Sequence, residues 1–118
     1  MRHVFLIVVA VLLLTSVSSC AASYQDRSFD VSPLSNTHTT VTMSKGKVLE
    51  GYLTVRGGND DIRFYIKDSY GNKVLDIEVK GRYDFSYTAI SEGFHTLYFD
   101  NSFSLFTGKQ VLMHYRVR

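Results

Sequence analysis

The 118-residue sequence has one cysteine, one proline and no tryptophan, and its charges nearly balance. A single cysteine rules out an intramolecular disulfide, although exported domains of this size often use them, so packing must hold the fold unaided. The 13 lysines and arginines and the 11 aspartates and glutamates are mixed along the chain without a basic stripe. Nucleic acid is therefore not an expected partner. The length allows a single domain.

Long hydrophobic runs are also scarce. Residues 4–14, VFLIVVAVLLL, carry no charge, and Arg2 and His3 precede them. A helix needs about 20 apolar residues to cross a bilayer comfortably. A basic start, a short apolar run and small residues after it predict a secretory signal peptide over residues 1–19. An N-terminal signal anchor is the alternative.

The only cysteine follows this run. Val17-Ser18-Ser19-Cys20 resembles the lipobox of bacterial lipoproteins, in which an aliphatic or small residue and two small residues precede the cysteine. The resemblance implies lipidation of Cys20 by a diacylglycerol unit with palmitate-type acyl chains, and cleavage of the signal just before it. Two acyl chains give stable anchoring at a membrane. The alternative is an ordinary signal cleaved after Ala22 or Ser23, which leaves no lipid.

The segment after the cysteine is polar. Residues 20–38 contain the only proline and no sustained period, and they predict a lipidated tether in which Phe29 and Val31 could begin a first strand. From Thr39 to Arg118 apolar and polar residues alternate, with Gly, Asn and Asp at the joints, as half-buried strands require. We predict an all-β domain over residues 39–118, an antiparallel β-sandwich of seven to eight short strands.

The alternation also assigns side chains to faces. The Thr39–Ser44 stretch places Val41 and Met43 on one face, and the next strand places its leucines and Val55 there. In the next two predicted strands, the residues expected to be buried are Ile62, Phe64, Ile66, Leu75, Ile77 and Val79. The last strand carries Val111, Met113, Tyr115 and Val117 on one side.

Three stretches together resemble the GOLD (Golgi dynamics) domain, the luminal β-sandwich of small transmembrane cargo receptors. They are RGGNDDIRFYIKDSYGNKV, FSYTAISEGFHTLYFDNSFS and KQVLMHYRV, within a match from about Val41 to Val117. The most specific part runs from Gly93 to Ser104 and includes the family's Phe, polar residue and Asn. The resemblance implies a non-catalytic domain that binds other proteins.

The sequence departs from those receptors in two respects. Their domain usually has a disulfide between two strands, whereas Thr54 or Val55 and Leu97 or Tyr98 occupy the equivalent region here. The sequence ends at Arg118 without the receptors' coiled coil, transmembrane helix and coat-binding tail. We therefore expect no coat recruitment, and attachment to a membrane through the N-terminus instead.

No catalytic constellation is recognisable. The four histidines, at positions 3, 38, 95 and 114, lack metal-ligand spacing. Asn59-Asp60-Asp61 could offer oxygens to calcium, but such residues are common in turns for local hydrogen bonding. There is no GxSxG motif and no phosphate loop. We expect no enzyme activity, no metal and no cofactor.

Two functions remain. The first is a membrane-anchored extracytoplasmic module that binds a protein partner through strand-face residues such as Arg63 and Tyr65. The alternative is a binder of glycans or lipid head groups, with Tyr52, Tyr65 and Tyr70 exposed for stacking, or a secreted or signal-anchored domain resembling a cargo receptor. We expect the protein on the extracytoplasmic side of the cell membrane or envelope.

Overall fold

The computed structural model describes residues 23–118. These residues form eight β-strands, β1 to β8, joined by short turns and one longer loop. In chain order the strands are Gln25–Val31, Asn36–Met43, Val48–Arg56, Asp61–Lys67, Lys73–Lys80, Arg82–Thr88, Gly93–Asp100 and Lys109–Val117. In this part of the chain no helix is long and apolar enough to span a membrane.

The strands form two four-stranded sheets. Sheet A has the order β1-β8-β3-β6 and sheet B the order β2-β7-β4-β5, and every pairing in both sheets is antiparallel. The inner faces of the two sheets form a single apolar core. The predicted antiparallel β-sandwich of seven to eight strands is confirmed.

Aromatic rings join the two sheets at the centre of the core. Phe29 of sheet A stacks on Phe99 of sheet B with ring centroids 4.8 Å apart. Phe64 of sheet B lies 5.4 Å from Phe99 and 5.7 Å from Phe85 of sheet A. Such offset and tilted ring pairs add to the stabilisation that burial alone provides, which explains how a domain without disulfides keeps its sheets together.

Alternation predicted which face is buried, but not how deeply each residue on it lies, since Val41 and Val117 are only partly buried. Leu75 and Ile77, expected inside, are only partly buried, whereas Val79 on the same strand is buried. The reason is position, because β5 is the last strand of sheet B and has a neighbour on one side only. Alternation shows which face a residue occupies but not how deeply its strand lies in the sheet.

The first strand begins earlier than the sequence suggested. β1 and the first residues of β2 lie within residues 20–38, which were expected to form a tether. β1 pairs with β8 along its whole length, from Gln25 opposite Tyr115 to Val31 opposite Lys109. The strand that pairs with β1 lies near the other terminus, so the pairing is not visible in the local sequence. The residues of β1 are also mostly polar, and they gave little sign of a strand.

The turns divide between two ends of the sandwich. At one end, which we call the N-terminal end, the described chain begins at Ser23. The turns 44–47, 68–72 and 89–92 lie at this same end. The loop end carries the turns 32–35 and 57–60 and the longer loop 101–108. An eight-residue strand such as β7 separates the two ends by about 26 Å.

Candidate binding face

The outer face of sheet B carries a row of rings from three neighbouring strands. His38 on β2 lies opposite Tyr98 on β7, and Tyr98 lies opposite Tyr65 on β4. The rings of Tyr65 and Tyr98 are stacked, with centroids 4.6 Å apart and planes inclined by 11°. His38 is tilted against Tyr98 at 5.5 Å. We call His38, Tyr98 and Tyr65 the tyrosine row.

Two lysines lie over rings of this row. The ammonium of Lys73 on β5 lies 4.5 Å from the centroid of Tyr65, and that of Lys67 lies 5.6 Å from the centroid of Tyr98. A cation over a ring face is attracted by the ring's quadrupole. The row therefore combines aromatic surface with positive charge in a fixed arrangement.

An ion pair borders the row at the edge strand. The guanidinium of Arg63 donates two hydrogen bonds to the carboxylate of Asp76, of 2.8 and 2.9 Å, and Lys73 lies 3.4 Å from the same carboxylate. The hydrogen bond from Arg63, followed by that from Lys73, holds the pKa of Asp76 below its usual range. This bidentate ion pair links β4 to β5 and holds the Arg63 side chain in one conformation.

Tyr65 remains a neutral hydrogen-bond donor at physiological pH. Burial raises the pKa of its phenol above the ordinary value, and the nearby carboxylate of Asp100 adds to the effect. The hydroxyl can therefore donate to a partner's carbonyl or carboxylate. Sheet B thus presents aromatic area, cations and at least one donor on the same surface.

The Arg63–Asp76 pair gives a pH-dependent prediction. Because the pKa of Asp76 is lowered in the folded state, its contribution to stability is complete above the ordinary aspartate pKa and is lost as pH falls through the folded value. We expect Asp76→Asn to reduce the free energy of unfolding at pH 7 and to have little effect at about pH 2. Urea unfolding of both proteins at the two pH values measures this difference, and an equal effect at both would contradict it.

The structure places the other predicted tyrosines elsewhere. Tyr52 lies on sheet A, half-buried, with the guanidinium of Arg82 only 4.0 Å from its ring centroid. Tyr70 is 79% exposed in the turn between β4 and β5. Tyr65 is half-buried between Tyr98 and Lys73. The three rings thus do not form one stacking platform.

Sequence reasoning missed His38 and Tyr98 as members of the face. Alternation places Tyr98 outward on its strand, whereas His38 fell within the predicted tether, and the stacking depends on the register of β2, β7 and β4. That register joins residues far apart in sequence and leaves no local signal. Cys20, the predicted lipidation site, lies outside the described residues.

The outer face of sheet A is largely paired within itself. Glu50 accepts hydrogen bonds of 2.8 Å from both Arg116 and Arg118, which hold its pKa below the usual range. His114 contacts Asp26 at 2.7 Å and stacks on Tyr24 at 4.5 Å. Sheet A thus carries its own row of rings and cations, in which Tyr52 lies 5.1 Å from His114, and it serves as the comparison surface in binding experiments.

The acidic turn after β3 is also occupied by internal contacts. Asp60 accepts a 2.9 Å hydrogen bond from the backbone N–H of Gly57, and Asp61 pairs with the buried ammonium of Lys109. Within residues 23–118 no group of three or more metal-ligating side chains converges. Both carboxylates thus contact groups of the domain itself.

Comparison with known families places the strands in context. A family model described as the emp24/gp25L/p24 family/GOLD matches residues 28–118. The mouse protein named transmembrane emp24 domain-containing protein 3 is 36% identical over 67 residues, which is 56% of this chain. The aligned region spans 30% of the length of that mouse protein.

Solved structures share the fold at low sequence identity. The periplasmic inhibitor of g-type lysozyme from Aeromonas hydrophila, PliG, superposes with a TM-score of 0.62 at 8% identity, over 83% of this chain and 89% of its own. The Yersinia pseudotuberculosis-derived mitogen gives a TM-score of 0.55 at 11% identity, over 80% and 86% of the two chains. These likenesses concern the architecture of the sandwich alone.

Proposed function

The chain belongs to the emp24/gp25L/p24 family, the GOLD-domain family, and from that premise we propose that it is a membrane-anchored, non-enzymatic module that binds a protein partner on the extracytoplasmic side. The family consists of membrane-associated proteins with a luminal domain. Cargo-receptor-like binding is the property that this membership suggests, and the binding surface must be argued from this chain's own residues.

The observation that supports protein binding most strongly is the tyrosine row with its cations. Tyrosine and arginine are enriched among residues that dominate binding energy at protein interfaces, especially where they are held rigid. Tyr65 is fixed by Tyr98 and by Lys73, and Arg63 is fixed by two hydrogen bonds to Asp76. A face whose large side chains are already ordered loses little conformational entropy when a partner binds.

The glycan alternative is less well supported by the same geometry. A sugar stacks on an open ring face, but Tyr98 and Lys73 cover opposite sides of Tyr65, since β7 and β5 flank β4 on opposite sides. Arg82 lies over Tyr52. The edges of the rings and the phenol oxygen of Tyr65 remain accessible, and a polypeptide can contact them by packing and hydrogen bonding.

Site-specific photocrosslinking tests this proposal. A benzophenone amino acid placed at Tyr65, in the full chain in its native membranes, should give a discrete crosslinked protein on irradiation. The matched control is the same amino acid at Tyr52, a half-buried tyrosine on the outer face of the other sheet. We expect the adduct at Tyr65 and none at Tyr52.

A substitution of Arg63, which borders the row, then measures how much this face contributes to partner binding. Arg63→Ser in the crosslinking background should reduce the yield of the adduct by more than about fivefold, because loss of one ordered interface arginine often costs more than 1 kcal/mol. Equal crosslinking at positions 65 and 52, or no adduct at either while the protein remains folded, would refute binding through sheet B. Binding to glycan arrays or lipid strips, lost on Arg63→Ser, would favour the alternative.

Anchoring is the second part of the proposal. It is supported by the lipobox-like Val17-Ser18-Ser19-Cys20 and by the apolar run before it. An anchor at Cys20 lies three residues before Ser23 in sequence, which limits the span to about 11 Å of extended chain. The N-terminal end of the sandwich would then be held close to the lipid surface.

A further inference from the structure

Large apolar side chains are exposed at the N-terminal end of the sandwich. Tyr70 is 79% exposed in the turn 68–72, and Ile90 and Phe94 are each 66% exposed in and just after the turn 89–92. We call Tyr70, Ile90 and Phe94 the apical patch. Exposed apolar clusters on small domains commonly mark a surface that contacts something else.

Backbone contacts tie the turns that carry this patch together. The hydroxyl of Ser69 donates a 2.7 Å hydrogen bond to the carbonyl of Glu92, which joins the turn of Tyr70 to that of Ile90. Ala89 donates to the carbonyl of Lys47, and Gly46 donates to the carbonyl of Ala89, both at 2.8 Å. The turn 44–47 is therefore fixed beside the patch.

That third turn adds positive charge. Lys45 and Lys47 are both exposed there, and the main exposed acidic side chain in the neighbouring turn is Glu92. Asp68, in the turn of Tyr70, is buried and accepts hydrogen bonds from the backbone N–H groups of Tyr70 and Asn72. An apolar centre with lysines beside it is the composition of surfaces that rest on anionic lipid.

The position of the patch in the chain identifies the occupant. The described chain enters at the same end, at Ser23, and the proposed lipid anchor at Cys20 precedes it by three residues. We propose that the apical patch rests on the surface of a lipid bilayer with anionic head groups, so that the sandwich stands with its N-terminal end on the membrane. This inference rests on the anchoring part of the proposed function and adds an orientation to it.

The orientation has a consequence for binding. Both outer sheet faces, including the tyrosine row, would stand roughly perpendicular to the membrane and remain open to a partner. The loop end would point away from the lipid, with Phe106, which is 91% exposed, at its tip. A partner anchored in the same membrane could therefore approach the row from the side.

The absence of tryptophan from the sequence allows a direct test. Phe94→Trp places a single fluorophore in the apical patch, and Phe106→Trp is the matched control at the opposite end. Each full-length variant is reconstituted into phosphatidylcholine–phosphatidylserine vesicles with brominated acyl chains. We expect the indole at position 94 to lose more than about half of its emission, as a ring at the interface would, and the indole at 106 to be unaffected.

Flotation of the same vesicles separates the two possible failures. If the protein does not float with lipid, the anchoring in the proposed function is wrong and this inference is wrong with it. If it floats while the indole at 94 is no more quenched than that at 106, the anchoring stands and the orientation is overturned. Ile90→Trp is a second reporter in the patch should Phe94→Trp disturb the fold, and it must be quenched likewise.

Discussion

Replacing Gly51 by alanine should destabilise the domain severely. Gly51 lies in the middle of β3 with a φ of +153°, directly opposite Tyr115 on β8. A Cβ atom there would lie 1.9 Å from the carbonyl oxygen of His114 and 2.7 Å from the Cα of Tyr115. Both are backbone atoms, so a rotamer change cannot relieve the overlap, and the central pair of sheet A must separate.

We expect Gly51→Ala to lower the free energy of unfolding by about 3–5 kcal/mol, at the upper end of single-substitution effects. A domain of this size is stable by about 5–15 kcal/mol, so the melting temperature should fall by more than about 10 °C. Thermal and urea unfolding, followed by β-sheet circular dichroism, measure the change.

Gly71→Ala is the matched control for this effect. Gly71 also has positive φ, at +82°, but no atom lies within 4 Å of its would-be Cβ. Only the backbone preference is then lost, at a cost of about 1 kcal/mol. Similar losses in the two variants would show that the close approach of β3 and β8 at Gly51 does not hold.

The second large effect is expected at Asn101, the asparagine of the GOLD-like motif. Its side chain is fully buried, and its Nδ2 group donates to the carbonyl oxygens of Thr107, Ser32 and Val31 at 2.9, 3.2 and 3.3 Å. One amide therefore joins the loop 101–108 to the end of β1 and the turn after it. This explains in physical terms why the motif contains an asparagine.

Asn101→Asp keeps the shape of the side chain but replaces its hydrogen-bond donor with an acceptor. It replaces the donor with a carboxylate oxygen that faces three carbonyl oxygens in a site without water exposure. We expect a loss of about 3–5 kcal/mol at pH 7, since a buried charge without a partner is strongly unfavourable. Burial raises the pKa of such a carboxyl group in the folded state, so the loss should shrink as pH falls towards the ordinary aspartate pKa, because protonation removes the charge and restores one donor.

Asn101→Ala provides the comparison. It removes the hydrogen bonds and leaves a small cavity but adds no charge, so its cost of about 2–3 kcal/mol should not vary with pH. Urea unfolding at pH 7 and at about pH 3.5 separates the two variants. If Asn101→Asp were no more harmful than Asn101→Ala at pH 7, the three donated hydrogen bonds would not be the reason for the motif.

The fold was largely readable from period-two alternation. In β4 the sequence alternates Ile62, Phe64 and Ile66 with polar residues, and the structure buries all three. The same reasoning failed to notice Lys109, which is in phase with the buried Val111 and is itself buried against Asp61. A lysine on an inward position signals a buried ion pair only once its partner is known, and that partner lies across the sandwich.

The binding face was readable only in part. Arg63 and Tyr65 could be assigned to an outer strand face because their neighbours alternate with them. Their partners Tyr98 and Asp76 come from two other strands, and the strand order β2-β7-β4-β5 that brings them together is not encoded in local pattern. Position within the sheet also decides exposure, which is why Tyr52 and Tyr65 are half-buried rather than open.

Attachment of the domain to a membrane through its N-terminus is tested directly by one measurement. The intact mass of the protein extracted from membranes is compared with that of a Cys20→Ala variant. We expect a mass equal to residues 20–118 plus acyl chains, and loss of that species in the variant. A lipid-free mass beginning at Ser23 or Tyr24, or a full-length mass unchanged by the substitution, would contradict lipid anchoring at Cys20.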